Sequence, residues 1–145
     1  MVERDLIREL KSKMDAGVEA AKPEDTLKIF EFVRQLALEN EDLKDELEGK
    51  DITMQVEISD TGAKYWVRAR NGKVEYGEGT APVPANFTWI APFKVATEVV
   101  YGKTSAQSAF MNGTVKILGK IRDAMEFQNV IDIAMDEFKT LVEDL

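Results

Sequence analysis

The dipeptide Asn71-Gly72 lies between two stretches in which apolar and polar residues alternate, and it constrains the chain more than any other local feature. Both residues tolerate the positive φ that a two-residue hairpin turn requires. With Arg70 and Lys73 flanking the turn, the register follows: Val67 faces Tyr76 and Ala69 faces Val74 on the apolar side. On the other side Arg68 faces Glu75, an opposite-charge pair, and Trp66 faces Gly77, where an indole can cover bare backbone. Local and cross-strand patterns agree on a sheet with one buried face.

A third strand precedes this hairpin. Ile52, Met54, Val56 and Ile58 alternate with Thr53, Gln55 and Glu57, and Asp60-Thr61-Gly62 supplies the turn into the next strand. Before Asp51 the apolar period is helical. Leu6, Leu10, Met14 and Val18 mark a first helix, and Leu27, Phe30, Val33 and Leu36-Ala37 mark a second, entered after Pro23 through Glu24 and Asp25. Leu43 and Leu47 predict a short third helix or turn within the acidic segment from Glu39 to Asp51. After the hairpin, Ala81-Pro-Val-Pro84 is too rich in proline for a central strand, whereas Asn86 to Ile90 reads as a short one. Pro92 suits a first helical turn, and Phe93, Ala96 and Val100 continue at helical spacing to Gly102. Thr104 and Gln107 form a capping box for a short helix ended by Gly113. Val115 and Ile117 give a last strand, and a long helix runs from Ile121 to Leu145. This order predicts a single α+β domain over 1–145. Residues 1–50 form a helical segment, and residues 51–145 form a five-stranded, mostly antiparallel sheet with helices gathered on one face.

Composition narrows the chemistry. The chain has no histidine and no cysteine, which removes the commonest general base, thiolate nucleophiles and the usual zinc ligands. Its net charge of −8 argues against nucleic acid and disfavours electrostatic docking on anionic membranes. No apolar run is long enough for a membrane span, and the amino terminus lacks a signal core. A cytoplasmic location, without stable membrane insertion, is the expectation. No catalytic group, metal site or cofactor is expected. Asp60-Thr61-Gly62 matches the active-site tripeptide of aspartic proteases, which would need two aspartates sharing a proton across a dimer axis. Ser59 before it, Lys64 after it and its place at a turn favour the turn reading.

Gly102-Lys103, Gln107, Ala109-Phe110-Met111, Gly113, Lys116-Ile117 and Gly119 resemble the signature of the sterol carrier protein type-2 lipid-binding domain. Lys64-Tyr65-Trp66-Val67 and Asn71-Gly72 are similar to that family's tryptophan-bearing strand and hairpin. The resemblance covers roughly residues 50–131. It implies a sheet roofed by helices that enclose an apolar tunnel for a fatty acid, acyl-CoA, phospholipid or sterol-like ligand. The chain departs from the family in its long helical amino-terminal segment and its charged, extended last helix.

On this reading Phe110 lines the cavity and Met111 adapts to variable ligands, against the alternative of a filled core. Phe87, Trp89 and Phe93 form a cavity wall or portal, or else ordinary aromatic core. Ile117 faces the cavity from the last strand. The last helix is a lid that turns Met125, Phe127, Ile131 and Met135 to the lipid, or it packs on the sheet or on a second subunit. Trp66, sharing its face with Lys64, Arg68 and Arg70, is a surface residue. The expected function is non-catalytic lipid binding, with possible transfer, by a monomer or weak homodimer. The alternative is an assembly module of a larger lipid-metabolising system.

Overall fold

The computed structural model describes residues 1–145. Helices α1 (Arg4–Asp15), α2 (Asp25–Ala37) and α3 (Glu41–Leu47) precede strands β1 (Asp51–Ile58), β2 (Lys64–Arg70), β3 (Lys73–Glu78) and β4 (Phe87–Ala91). Helices α4 (Phe93–Val100) and α5 (Ala106–Met111), strand β5 (Lys116–Gly119) and helix α6 (Ile121–Glu143) complete the chain. The five strands lie in the order β3-β2-β1-β4-β5. Three pairs are antiparallel and the central pair, β1 with β4, is parallel. The mixed α+β class and the five-stranded sheet are those the sequence predicts.

The hairpin forms in the expected register, with Val67 opposite Tyr76, Ala69 opposite Val74, Arg68 opposite Glu75 and Trp66 opposite Gly77. Asn71 and Gly72 have φ of 51° and 80°, the left-handed pair that matches the twist of the flanking strands. A Cβ built on Gly77 would lie 2.8 Å from Trp66 Nε1, so the indole does rest on bare backbone.

One continuous core fills the space between the inward face of the sheet and the helices. Ile52, Met54, Val56 and Ile58 of β1 meet Val67 and Ala69 of β2, Phe32, Val33 and Leu36 of α2, and Phe127, Val130, Ala134 and Phe138 of α6. Helix α1 adds Leu6, Ile7 and Leu10 to this core. A polar clamp ties α1, α2 and β3 together at its margin. The Gln35 side chain accepts from Glu3 N at 2.9 Å and donates to Glu31, whose carboxylate also accepts from Tyr76 Oη at 2.7 Å and from Arg34.

Parallel pairing of β1 with β4 forces the chain to cross from edge strand β3 over the outward face of the sheet. The proline-bearing segment 79–86 makes that crossing, fastened by Gln55. Its Nε2 donates to Gly79 O at 2.9 Å, and its Oε1 accepts from Ala81 N at 2.8 Å. Asn86 ends the crossing: its Oδ1 accepts from Thr53 N at 2.9 Å and its Nδ2 donates to Asp123 at the start of α6.

Two local expectations change. The cap of α5 is Ser105, whose Oγ accepts from Ser108 N at 3.0 Å, so Thr104 lies one residue outside the helix and the Thr104–Gln107 box does not form. Pro92 sits at the N-cap of α4 and not in its first turn. Asp60, in the protease-like tripeptide, lies in the turn between β1 and β2 and accepts from Phe93 N at 3.0 Å, satisfying a donor at the start of α4.

Candidate functional site

The apolar interior is interrupted near the β4–β5 end of the sheet. A second, small cluster made of Ala91, Ala109 and Val115 is separate from the main core. Trp89 and Ile117, opposite one another across β4 and β5, pack against both clusters. We call this junction the seam.

Seven of the ten residues predicted to contact a ligand are placed around the seam or the core beside it. Phe87 and Phe127 are fully buried, with ring centroids 6.1 Å apart in an edge-on arrangement. Trp89, Phe93, Ile117, Ile131 and Met135 are half-buried and packed against the core. The other three are not brought there. Phe110 is 41% exposed, Met111 77% and Met125 66%. In α5 it is Ala109, not Phe110, that turns inward. A six-residue helix has too few turns for periodicity to fix its buried face, and a small residue allows close approach to α4.

Helix α6 is built into the core. Its stripe Ala124, Phe127, Val130, Ala134 and Phe138 is buried in the main core, and it packs on α1, α2 and α3 as well as on the sheet. The lightly held element is α4. Its apolar residues Phe93, Val95, Ala96, Val99 and Val100 are all half-buried, and its one buried residue is Thr97. Outside the sheet it rests on the short turn Val18–Ala20 and on α5. The Thr97 hydroxyl is satisfied inside the helix, donating to Phe93 O at 2.9 Å. Val95 and Val99, which pack on the second cluster, were not among the predicted site residues. Their signal was present: apolar residues occur on more than one side of this helix, as in helices covered on several sides.

The side chains that meet at the seam are apolar. Tyr101, at the end of α4, has its phenol held above its usual pKa, chiefly by burial and then by the Asp25 charge. No three acidic side chains converge to hold a metal ion anywhere in the chain. Two surface clefts lie elsewhere. One, of about 480 Å³, is lined by Gln55, Glu57, Lys64 and the 80–85 segment on the outward face of the sheet. The other, of about 540 Å³, is lined by residues 120–123 and Glu126 at the β5–α6 corner. Neither includes any of the ten predicted residues.

The chain is thus an α+β domain, a five-stranded sheet roofed by helices, with an apolar junction at β4 and β5. Residues 31–132 match the model of the SCP-2 sterol transfer family, and the chain belongs to that family. Among solved structures, the sec-alkylsulfatase Pisa1 from Pseudomonas sp. superposes with a TM-score of 0.60 at 21% identity, over 77% of this chain and 16% of that one. The ubiquinone synthesis protein UbiJ-SCP2 gives 0.58 at 20% identity, over 79% and 93%. The apo form of sterol carrier protein 2 from Yarrowia lipolytica gives 0.56 at 20% identity, over 74% and 89%. These likenesses show a shared fold. This chain thus spans only 16% of the alkylsulfatase but most of the length of the two small proteins. Helix α1 and the first half of α2 lie outside the family match.

Proposed function

We propose that this chain binds a lipid-like ligand by burial at the seam between β4, β5, α4 and α6, and performs no chemistry on it. The observation that carries the reading is the break in the core, where Trp89 and Ile117 bridge two apolar clusters under a helix whose apolar side chains are only half-covered. Family membership supports it, since the family is one of lipid binding and transfer. Removing an acyl chain from water is worth about 0.8 kcal/mol per methylene, so a sixteen-carbon chain gains on the order of 10 kcal/mol. That exceeds the ordering cost of association without any polar anchor. A bilayer offers similar burial, so release is near balance, and an element that opens matters more than specific contacts. Phe87 and Phe127 close the seam from the core side, and the α4–α5 unit is the part with least to lose on moving.

The test is to purify the protein under native conditions, extract it with organic solvent and identify co-purified lipid by mass spectrometry. An apolar fluorescent probe displaced by fatty acids would agree with the reading. Absence of both lipid and displacement would remove it. A second reading is favoured by the alkylsulfatase comparison, in which the matching fold forms a minor part of a large enzyme chain. There, a domain of this kind would present or shelter the substrate of a partner enzyme. Ligand retention without transfer between vesicles would favour this alternative.

A further inference from the structure

The net charge of −8 conceals a segregation. From Gly79 to Arg122 the one acidic residue is Glu98, against Lys94, Lys103, Lys116, Lys120 and Arg122. Pairing is segregated too. Most cations of the first seventy residues sit in ion pairs, such as Lys11 with Asp15, Arg34 with Glu31 and Arg68 with Asp51. Lys94, Lys103, Lys116 and Lys120 are exposed and have no ion-pair partner; Arg122 alone has one, Glu126 at 3.7 Å.

The same stretch holds the exposed apolar surface. Eight large apolar side chains are exposed, and five of them are Phe110, Met111, Leu118, Ile121 and Met125. The other three are Met1, Leu38 and the last residue, Leu145. Single exposed apolar residues are ordinary, but a group of them on one continuous segment is not. The five occur in succession along the chain, from the end of α5 through edge strand β5 to the start of α6. Phe110 and Met111 end α5, Leu118 shares the outward side of β5 with Lys116, and Ile121 and Met125 stand one turn apart at the start of α6.

We infer that the β5 edge is a docking surface for an anionic lipid bilayer. Unpaired lysines beside exposed Phe, Met, Leu and Ile are what a negatively charged interface recognises, the cations meeting headgroup phosphates and the apolar side chains entering the acyl boundary. The acidic excess lies mainly between Glu39 and Glu48 and in the stretch from Asp132 to Asp144 at the far end of α6. At physiological salt its field decays over about 8 Å, so the local charge governs contact. Three acids sit near the patch: Glu98, Glu126 paired with Arg122, and Asp123, which accepts a hydrogen bond from Asn86. Docking this edge would bring the seam, reached through Trp89 and Ile117 on β4 and β5, next to the membrane. The docking itself does not depend on what fills the seam.

The experiment is flotation of the full chain with vesicles of phosphatidylcholine, alone or with one third phosphatidylglycerol. The inference expects binding to the anionic vesicles only, weakening as salt rises. Reversing Lys103, Lys116 and Lys120 to Glu should lower partitioning at least tenfold, since each lysine near such a surface contributes roughly fivefold. Reversing Lys22, Lys73 and Lys139, which are also exposed and without ion pairs, changes the net charge equally and should cost less than threefold. Met111→Ser with Leu118→Ser tests the apolar part and should lower binding with little change in its salt dependence. Circular dichroism checks that each variant folds. Equal binding to both vesicle types, no binding, or equal losses from the two lysine sets would overturn the inference. So would a dimer that the patch variants dissociate, because a second copy would then own the edge.

Discussion

Replacing Glu31 with Gln should cost about 2–3 kcal/mol at pH 7, most of it by loss of a charge. The carboxylate accepts from Arg34 Nε at 2.8 Å and Nη2 at 2.7 Å, from Gln35 Nε2 at 2.7 Å and from Tyr76 Oη at 2.7 Å. The Arg34 bonds first, and then those from Tyr76 and Gln35, hold its pKa down at about 2 against 4.5 for a free glutamate, even though burial opposes them. The side chain is 24% exposed, so solvent screening takes only a modest share. The difference corresponds to about 3 kcal/mol, counted once for the whole cluster. A depressed folded-state pKa gives stability that is complete above 4.5 and is lost as pH falls through about 2. By pH 3 the wild-type advantage should have shrunk by about 2 kcal/mol. Tyr76 has the opposite sense. Its pKa is pushed up to about 12, first by burial and then by Glu31, so its share holds below 10 and is lost as pH rises through about 12. Urea unfolding of wild type and Glu31→Gln at pH 7 and pH 3 measures both ends of the acid branch. A deficit that is the same at the two pH values, or under about 0.5 kcal/mol at pH 7, would refute the clamp as described.

Gly119 has φ of 112°, and a Cβ there would lie 2.6 Å from Asn86 O and 3.0 Å from Phe87 Cα. Gly119→Ala should therefore lose about 2–4 kcal/mol, read as a lowered urea midpoint, because backbone atoms cannot step aside as a side-chain tip can. Asn86→Ala removes the acceptor of the Thr53 amide in a residue that is 1% exposed. A loss of about 2 kcal/mol is expected, with faster hydrogen exchange at Thr53. Ile117→Asp puts a charge at the bridge between the two apolar clusters. It should abolish displacement of an apolar probe by fatty acids while far-ultraviolet circular dichroism is kept, and unchanged probe affinity would take Ile117 out of the site.

Much of the architecture is legible in the sequence because period and turn chemistry act locally. Asn71-Gly72 fixes the hairpin register down to the contact of Trp66 with Gly77, and the change of period at Asp51 marks the start of β1. Of the candidate site, the sequence makes legible the strand pair Trp89 and Ile117, which bridges the two clusters, and Phe127 of α6, which meets Phe87. The site is not legible on α5, because the choice between Ala109 and Phe110 depends on how closely α4 approaches. The role of α6 could not be read from its own apolar stripe. A lid and a core helix show the same pattern, and the burial of α6 comes from its packing on α1–α3, of which α1 and the first half of α2 lie outside the family match. Net charge does not report the basic stretch between Gly79 and Arg122, since a sum over the chain does not say which cations lack partners.

The central claim is that an apolar ligand occupies the seam. The chain has two tryptophans, and Trp66→Phe leaves Trp89 as the reporter at the bridge between the two clusters. Titrating this variant with a fatty acid brominated along its chain tests contact directly, because bromine quenches indole emission at short range. A ligand at the seam gives saturable quenching of Trp89, reversed by unbrominated fatty acid. Bound fatty acid that leaves Trp89 emission unchanged would place the ligand elsewhere, and no binding at all would contradict the claim.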